Sequence, residues 1–190
     1  MAIRPLLGDN SSMPESANNT PGKQLGQGML AICFVIGLGA LTLFFDGQLG
    51  QQVNPNQAPL LGIDEQGHKT VRLKQNRQGH YLANGYINGI EVTFLLDTGA
   101  TDVAIPQAVA QTAGLIPGLS GVAATANGRV TVYTTAIDQL ELGNIVLNNV
   151  SGSITPSMPG NTILLGMSAL RQVEFTQRGD VLTLKQLSSN

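Results

Sequence analysis

The residues best suited to chemistry are Asp97, Thr98 and Gly99, which close the run Glu91-Val92-Thr93-Phe94-Leu95-Leu96. Val92 and Thr93 are β-branched, and Phe94, Leu95 and Leu96 follow without a polar break, which predicts a strand buried on both faces. Asp97 therefore stands where a buried strand stops. A carboxylate there loses hydration and must be hydrogen-bonded, paired or protonated, the condition under which an Asp exchanges protons usefully. Gly99 permits the tight turn that brings amide N–H groups back toward that carboxylate. Alone, an Asp-Thr-Gly triplet is most often a plain turn. Here a second apolar run broken by glycine, Ile163-Leu164-Leu165-Gly166, follows about seventy residues downstream and leads into the short helix-like Met167-Ser168-Ala169-Leu170.

Other chemistries find too few residues. His68 and His80 are the only histidines, and the single cysteine, Cys33, lies in an apolar run. Neither a zinc triad nor a Cys-His nucleophile can be assembled from them, so no metal and no other cofactor is expected. The formal net charge is −2 with no basic cluster, which argues against nucleic acid as a partner.

The elements that must position Asp97 begin near Thr70. Thr70 to Lys74 and Tyr81 to Ile87 alternate in polarity, and Asn88-Gly89 suits the positive φ of a type I′ hairpin turn. That turn delivers the chain into the Asp97 strand and fixes its register. Gln107 to Gly114 is helix-like, ended by Gly114 and kept short by Pro117. Gly121 to Ala126 and Arg129 to Ala136 form a second hairpin around Asn127-Gly128. Further strands are expected at Ile137 to Leu142, Ile145 to Ile154 and Ile163 to Gly166, with a closing hairpin around Arg178-Gly179. Many short strands at regular spacing predict an all-β, barrel-like domain over residues 68–190.

Three segments precede it. Residues 1–27 are polar and rich in Asn, Ser, Pro and Gly, which predicts a disordered tail. Residues 28–45 (GMLAICFVIGLGALTLFF) carry no charge and are just long enough to cross a bilayer as a helix. Arg4 and Lys23 precede this run and the next basic residue is Lys69, so the short N-terminal side is expected in the cytoplasm and the rest exported. Cys33 then faces lipid. Residues 46–67, rich in Gln, Asn, Pro and Gly, read as a flexible linker whose only apolar spot is Leu60-Leu61.

The pair Phe94-Leu-Leu-Asp-Thr-Gly-Ala100 and Ile163-Leu-Leu-Gly166, with the Asn127-Gly128 hairpin and the Leu-Gly-Met-Ser segment, resembles the retropepsin-like aspartic proteases. The resemblance covers about Thr70 to Leu187 and is closer to the bacterial branch with one N-terminal membrane anchor. It implies a retropepsin-like acid protease barrel of a single lobe, homodimeric, preceded by one transmembrane helix. It also implies a place in the bacterial inner membrane, single-pass, with the protease domain in the periplasm and a peptide or protein as substrate.

The resemblance also assigns roles. Asp97 is the catalytic residue, Leu165 and Gly166 form the second strand motif beside its loop, and Ala126, Asn127 and Gly128 are the tip of a flap over bound peptide. Thr98 would bond across the dimer to its counterpart's loop, and Gly99 would allow close backbone approach. Ala100 stands where pepsin-type enzymes carry a hydroxyl that bonds the catalytic carboxylate, so activity is expected nearer neutral pH than pepsin's. Ala169 replaces an aromatic that relatives often have, and Val103, Ile105 and Val130 are candidate pocket walls, although their residue types favour plain core.

Peptide hydrolysis by carboxylates needs two of them around one water. With a single Asp-Thr-Gly, the second is expected from Asp97 of another copy, Asp102 being a local alternative. The expected function is a membrane-anchored aspartic endopeptidase. A catalytically inactive, protease-like module for peptide binding or dimerisation in the cell envelope is the alternative.

Overall fold

The computed structural model describes residues 21–125 and 128–186. Most of the polar N-terminal stretch, together with the expected flap-tip residues Ala126 and Asn127, therefore lies outside the described residues. The chain divides into two compact units between Phe45 and Asp46.

Helix α1 spans Pro21–Val53, longer at both ends than the apolar run that announces it. Proline at the first position is preset for a helical turn, so the helix starts inside the stretch expected as a tail. Its Gly28–Val53 segment is long and apolar enough to cross a membrane, and the only such segment among the described residues. Leu30, Phe34 and Ile36 are exposed, as is Cys33.

The second unit holds strands β1 (Leu60–Ile63), β2 (Lys69–Lys74), β3 (Leu82–Ile87), β4 (Ile90–Leu96), β5 (Val103–Pro106), β6 (Ser120–Thr125), β7 (Gly128–Leu142), β8 (Ile145–Thr155), β9 (Thr162–Leu165), β10 (Val173–Arg178) and β11 (Val181–Gln186). Two short helices, α2 (Gln107–Thr112) and α3 (Met167–Leu170), interrupt them. Seven strands form one sheet in the order β3-β4-β9-β5-β8-β7-β6, and a β3–β7 pairing closes it into a barrel. The other four form a sheet in the order β1-β2-β11-β10.

Turn chemistry accounts for most of the meander. Asn88 and Gly89 have φ of 50° and 78°, as the two-residue hairpin requires, and Gly143 (φ 62°) and Gly179 (φ 61°) open two further hairpin turns in which only the glycine has positive φ. Phe94, Ile87, Ile105, Ile137, Leu140 and Ile163 are fully buried and fill the barrel. Each such side chain contributes roughly 2–3 kcal/mol on leaving water. Gly85 lets β3 and β7 meet, because a Cβ there would strike the Glu141 carbonyl oxygen and the Phe94 ring.

Residues 46–67, expected as a flexible linker, are instead largely built into the fold. The helix runs on to Val53, and Leu60–Ile63 pairs antiparallel with Lys69–Arg72. Between them Asn54 and Asn56 are buried. The Asn56 side chain donates to the carbonyls of Lys74 (2.9 Å) and Leu82 (2.6 Å) and accepts the Lys74 N–H (2.6 Å). Asn54 accepts the Asn56 N–H and donates to Asn84 Oδ1. A polar composition was compatible with a solvated chain, but an amide side chain can also complete a backbone edge, and here it does.

Candidate active site

Asp97 follows directly on β4. Its strand is paired in parallel with β9 up to Leu96 opposite Leu165, and the Asp97 N–H continues the ladder to the Leu165 carbonyl at 3.2 Å. The chain then turns sharply. The Gly99 N–H donates to Asp97 Oδ1 at 2.9 Å, and the Ala100 N–H to the Asp97 carbonyl at 3.2 Å. Asp97 is half-buried, with Thr98 and Gly99 exposed. Among the described residues the Thr98 hydroxyl has no hydrogen-bond partner, and no second carboxylate bonds Asp97.

The second motif lies against this turn. Gly166 passes so close to it that a Cβ would strike the Asp102 carbonyl and come within 2.7 Å of the Ala100 carbonyl oxygen. Just beyond, the Met167 N–H donates to the Ala100 carbonyl (2.8 Å) and the Ser168 N–H to that of Thr101 (2.9 Å). Leu165 is buried beneath. The structure thus brings Asp97, Thr98, Gly99, Ala100, Leu165 and Gly166 together. Gly128 stands elsewhere, at the start of β7 opposite Thr125, with φ 108°.

Other expectations change. Val103 and Ile105 have no exposure and belong to the core, the reading their residue types favoured over a pocket wall. Val130 is half-buried on β7 opposite Ala123. Asp102 meets Gly166 of the second motif through its backbone carbonyl. Ala169 is buried, so the short helix packs without the aromatic.

A cavity of about 320 Å³ opens beside the turn, lined by Asp97, Thr98, Leu96, Tyr81 and Phe175 among others. Tyr81 is one feature the sequence reading missed. Its hydroxyl is buried with no partner among the described residues, and burial, reinforced by the charge of Asp180, raises its pKa. Alternation in the Tyr81 to Ile87 run was the signal that could have placed it opposite Leu96, whose N–H bonds the Tyr81 carbonyl at 3.0 Å. A second groove, of about 360 Å³, lies at the start of β4 between Glu91, Thr93, Val109 and Asn161, and contains none of the Asp-Thr-Gly residues. No group of three or more His, Cys, Asp or Glu among the described residues could hold a metal.

Residues 83–172 match the family described as gag-polyprotein putative aspartyl protease. Among solved structures, a retropepsin-like aspartic protease from Rickettsia conorii superposes with a TM-score of 0.52 at 23% identity, covering 68% of this chain and 93% of its own. The folded domain has a retropepsin-like fold. The matched span runs from β3 through α3, so the strand before the Asp-Thr-Gly turn and the strand beside it both fall inside the match. The EIAV protease complexed with the inhibitor HBY-793 gives a TM-score of 0.43 at 18% identity over 52% of this chain and 92% of its own, too loose a superposition to add to this. An uncharacterised protein in the cobV 5′ region of a Sinorhizobium species is 29% identical over 145 residues, which is 74% of this chain. The chain spans 62% of the length of that relative.

Proposed function

We propose that this chain is a membrane-anchored aspartic endopeptidase whose active site is completed by a second copy of itself. The observation that carries the reading is the Asp97 turn: one half-buried carboxylate fixed by an amide, beside an exposed threonine whose hydroxyl has no partner among the described residues. A lone carboxylate can take a proton from water or give one to the scissile carbonyl, but the reaction needs both acts at once. Two Asp97 side chains facing each other across a two-fold axis would supply both.

In this reading Thr98 bonds the opposite subunit's loop, Gly99 and Ala100 shape the turn, and Leu165 and Gly166 hold it from behind. The hairpin tip at Ala126, Asn127 and Gly128 closes over an extended peptide that adds as a strand. Helix α1 spans the inner membrane with its N-terminus in the cytoplasm, and the domain works in the periplasm, in keeping with Arg4 and Lys23 ahead of the apolar run.

The test is Asp97→Asn in the full chain, purified in detergent micelles and offered a peptide library. The unsubstituted protein should cleave and Asp97→Asn should be inert while keeping the same fold and oligomeric state. An unsubstituted protein that associates yet cleaves nothing between about pH 3 and 8 would leave the peptide-binding module as the better account.

A further inference from the structure

The turn that carries Asp97 makes few bonds of its own, namely the Gly99 N–H to Asp97 Oδ1 and the Ala100 N–H to the Asp97 carbonyl. Its far end is held from outside, and much of that hold comes from one residue, Ser168. The Ser168 N–H donates to the Thr101 carbonyl at 2.9 Å. Its hydroxyl accepts the Val103 N–H at 3.0 Å and donates to the Ser151 carbonyl at 2.6 Å. Ser168 therefore grips the chain on both sides of Asp102.

The hydroxyl occupies an unusual place. Val103 opposes Gly152 in the parallel β5–β8 ladder, so the Ser151 carbonyl is the acceptor the Val103 N–H would meet if the ladder simply ran on. Instead the hydroxyl stands between them as a spacer. Without it two outcomes are open to the backbone. Either the Val103 N–H and the Ser151 carbonyl lose their partner, or the ladder closes to an ordinary bond and draws Val103 toward β8 by on the order of 2 Å. Both disturb the Thr101–Val103 end of the turn, against which Gly166 is packed with no room to adjust.

We infer that Ser168 is a positioning residue for Asp97, setting the height of the catalytic turn through a hydroxyl inserted in the β5–β8 ladder. It touches no substrate and acts only through the backbone at Thr101 and Val103. The kinetic side of the inference rests on the endopeptidase reading, whereas the structural side does not.

The experiment compares the unsubstituted chain, Ser168→Ala and Ser168→Thr, full length in detergent micelles, by amide hydrogen exchange and by peptide-library kinetics. In Ser168→Ala exchange should quicken about tenfold at Val103 and also at Gly99 and Ala100, and Ser168→Thr should restore it to within about twofold. The alanine variant should lose about 10- to 100-fold in kcat with KM within about twofold, again restored by threonine. Quickening confined to Val103, unchanged kcat in Ser168→Ala, or threonine failing to rescue each overturns the inference. If the unsubstituted chain is inert while the exchange pattern appears as described, the endopeptidase reading fails and the brace stands.

Discussion

Gly166→Ala is the substitution for which the structure dictates the largest effect from the smallest change. The added Cβ would come within 2.7 Å of the Ala100 carbonyl oxygen and closer still to that of Asp102. Ordinary contact begins near about 3.5 Å, so one backbone or the other must move by on the order of 1 Å. Neither is free to. The Ala100 and Thr101 carbonyls are held by the Met167 and Ser168 N–H groups, and β9 is locked in parallel to β4. Overpacking of this kind costs about 1–3 kcal/mol, and weakening one or two of those bonds adds about 1 kcal/mol. At about 2–4 °C per kcal/mol for a domain of this size, Tm should fall by roughly 5–15 °C. Gly121→Ala is the control, because its nearest neighbour is Val132 Cγ2 at 3.9 Å and its φ is not positive. Its Tm should stay within about 2 °C. Scanning calorimetry of the two variants beside the unsubstituted chain makes the comparison, and equal shifts for both would refute the argument that Gly166 is there for lack of room.

Three further outcomes follow from the same geometry. Asn56→Ala removes three side-chain bonds to the backbone of Lys74 and Leu82 and should cost about 2–4 kcal/mol in urea unfolding; a chain truncated to begin at His68 should be destabilised at least as much. Tyr81→Phe deletes a buried hydroxyl that has no partner among the described residues, so unfolding should show no loss and a gain of up to about 1 kcal/mol, whereas a clear loss would mean the phenol is bonded. Asp64 is held well below the usual carboxylate range, foremost by Lys185 Nζ at 2.8 Å and, against some desolvation, by the His68 and Gln66 N–H groups and the His68 ring. Because folding lowers its pKa, its stabilisation is full above the unfolded value of about 4 and fades as pH falls below it. The stability gap between the unsubstituted chain and Asp64→Asn should therefore be widest near pH 6 and shrink toward pH 2.5; a gap independent of pH would refute the assignment.

Local chemistry made much of this fold legible. Asn88-Gly89, Gly143 and Gly179 announce their turns because only a few residue types tolerate positive φ, and Phe94-Leu95-Leu96 announces β4 as a strand; burial on both faces was not met, since Val92 and Phe94 are buried while Thr93, Leu95 and Leu96 on the strand are half-buried. What stayed hidden depends on partners far along the chain. The parallel pairings of β4 with β9 and of β5 with β8 leave no mark in either strand alone. Asn54 and Asn56 look like solvated linker residues until the edge they complete is in place. Val103 and Ile105 were core by residue type with a pocket wall as the alternative, and the covering strands decide for the core. At the candidate site the sequence pointed to Asp97 and Gly166 through their setting at strand ends. It was silent on Ser168, whose importance lies in the two backbone groups it separates.

The account turns on whether one Asp97 suffices. Specific activity of the full chain should be measured across protein concentration, with and without an excess of Asp97→Asn subunits. It should rise with concentration toward a plateau, and the inert subunits should suppress it by drawing active ones into mixed pairs. Activity per molecule that stays constant on dilution and ignores the Asp97→Asn subunits would contradict the shared site outright.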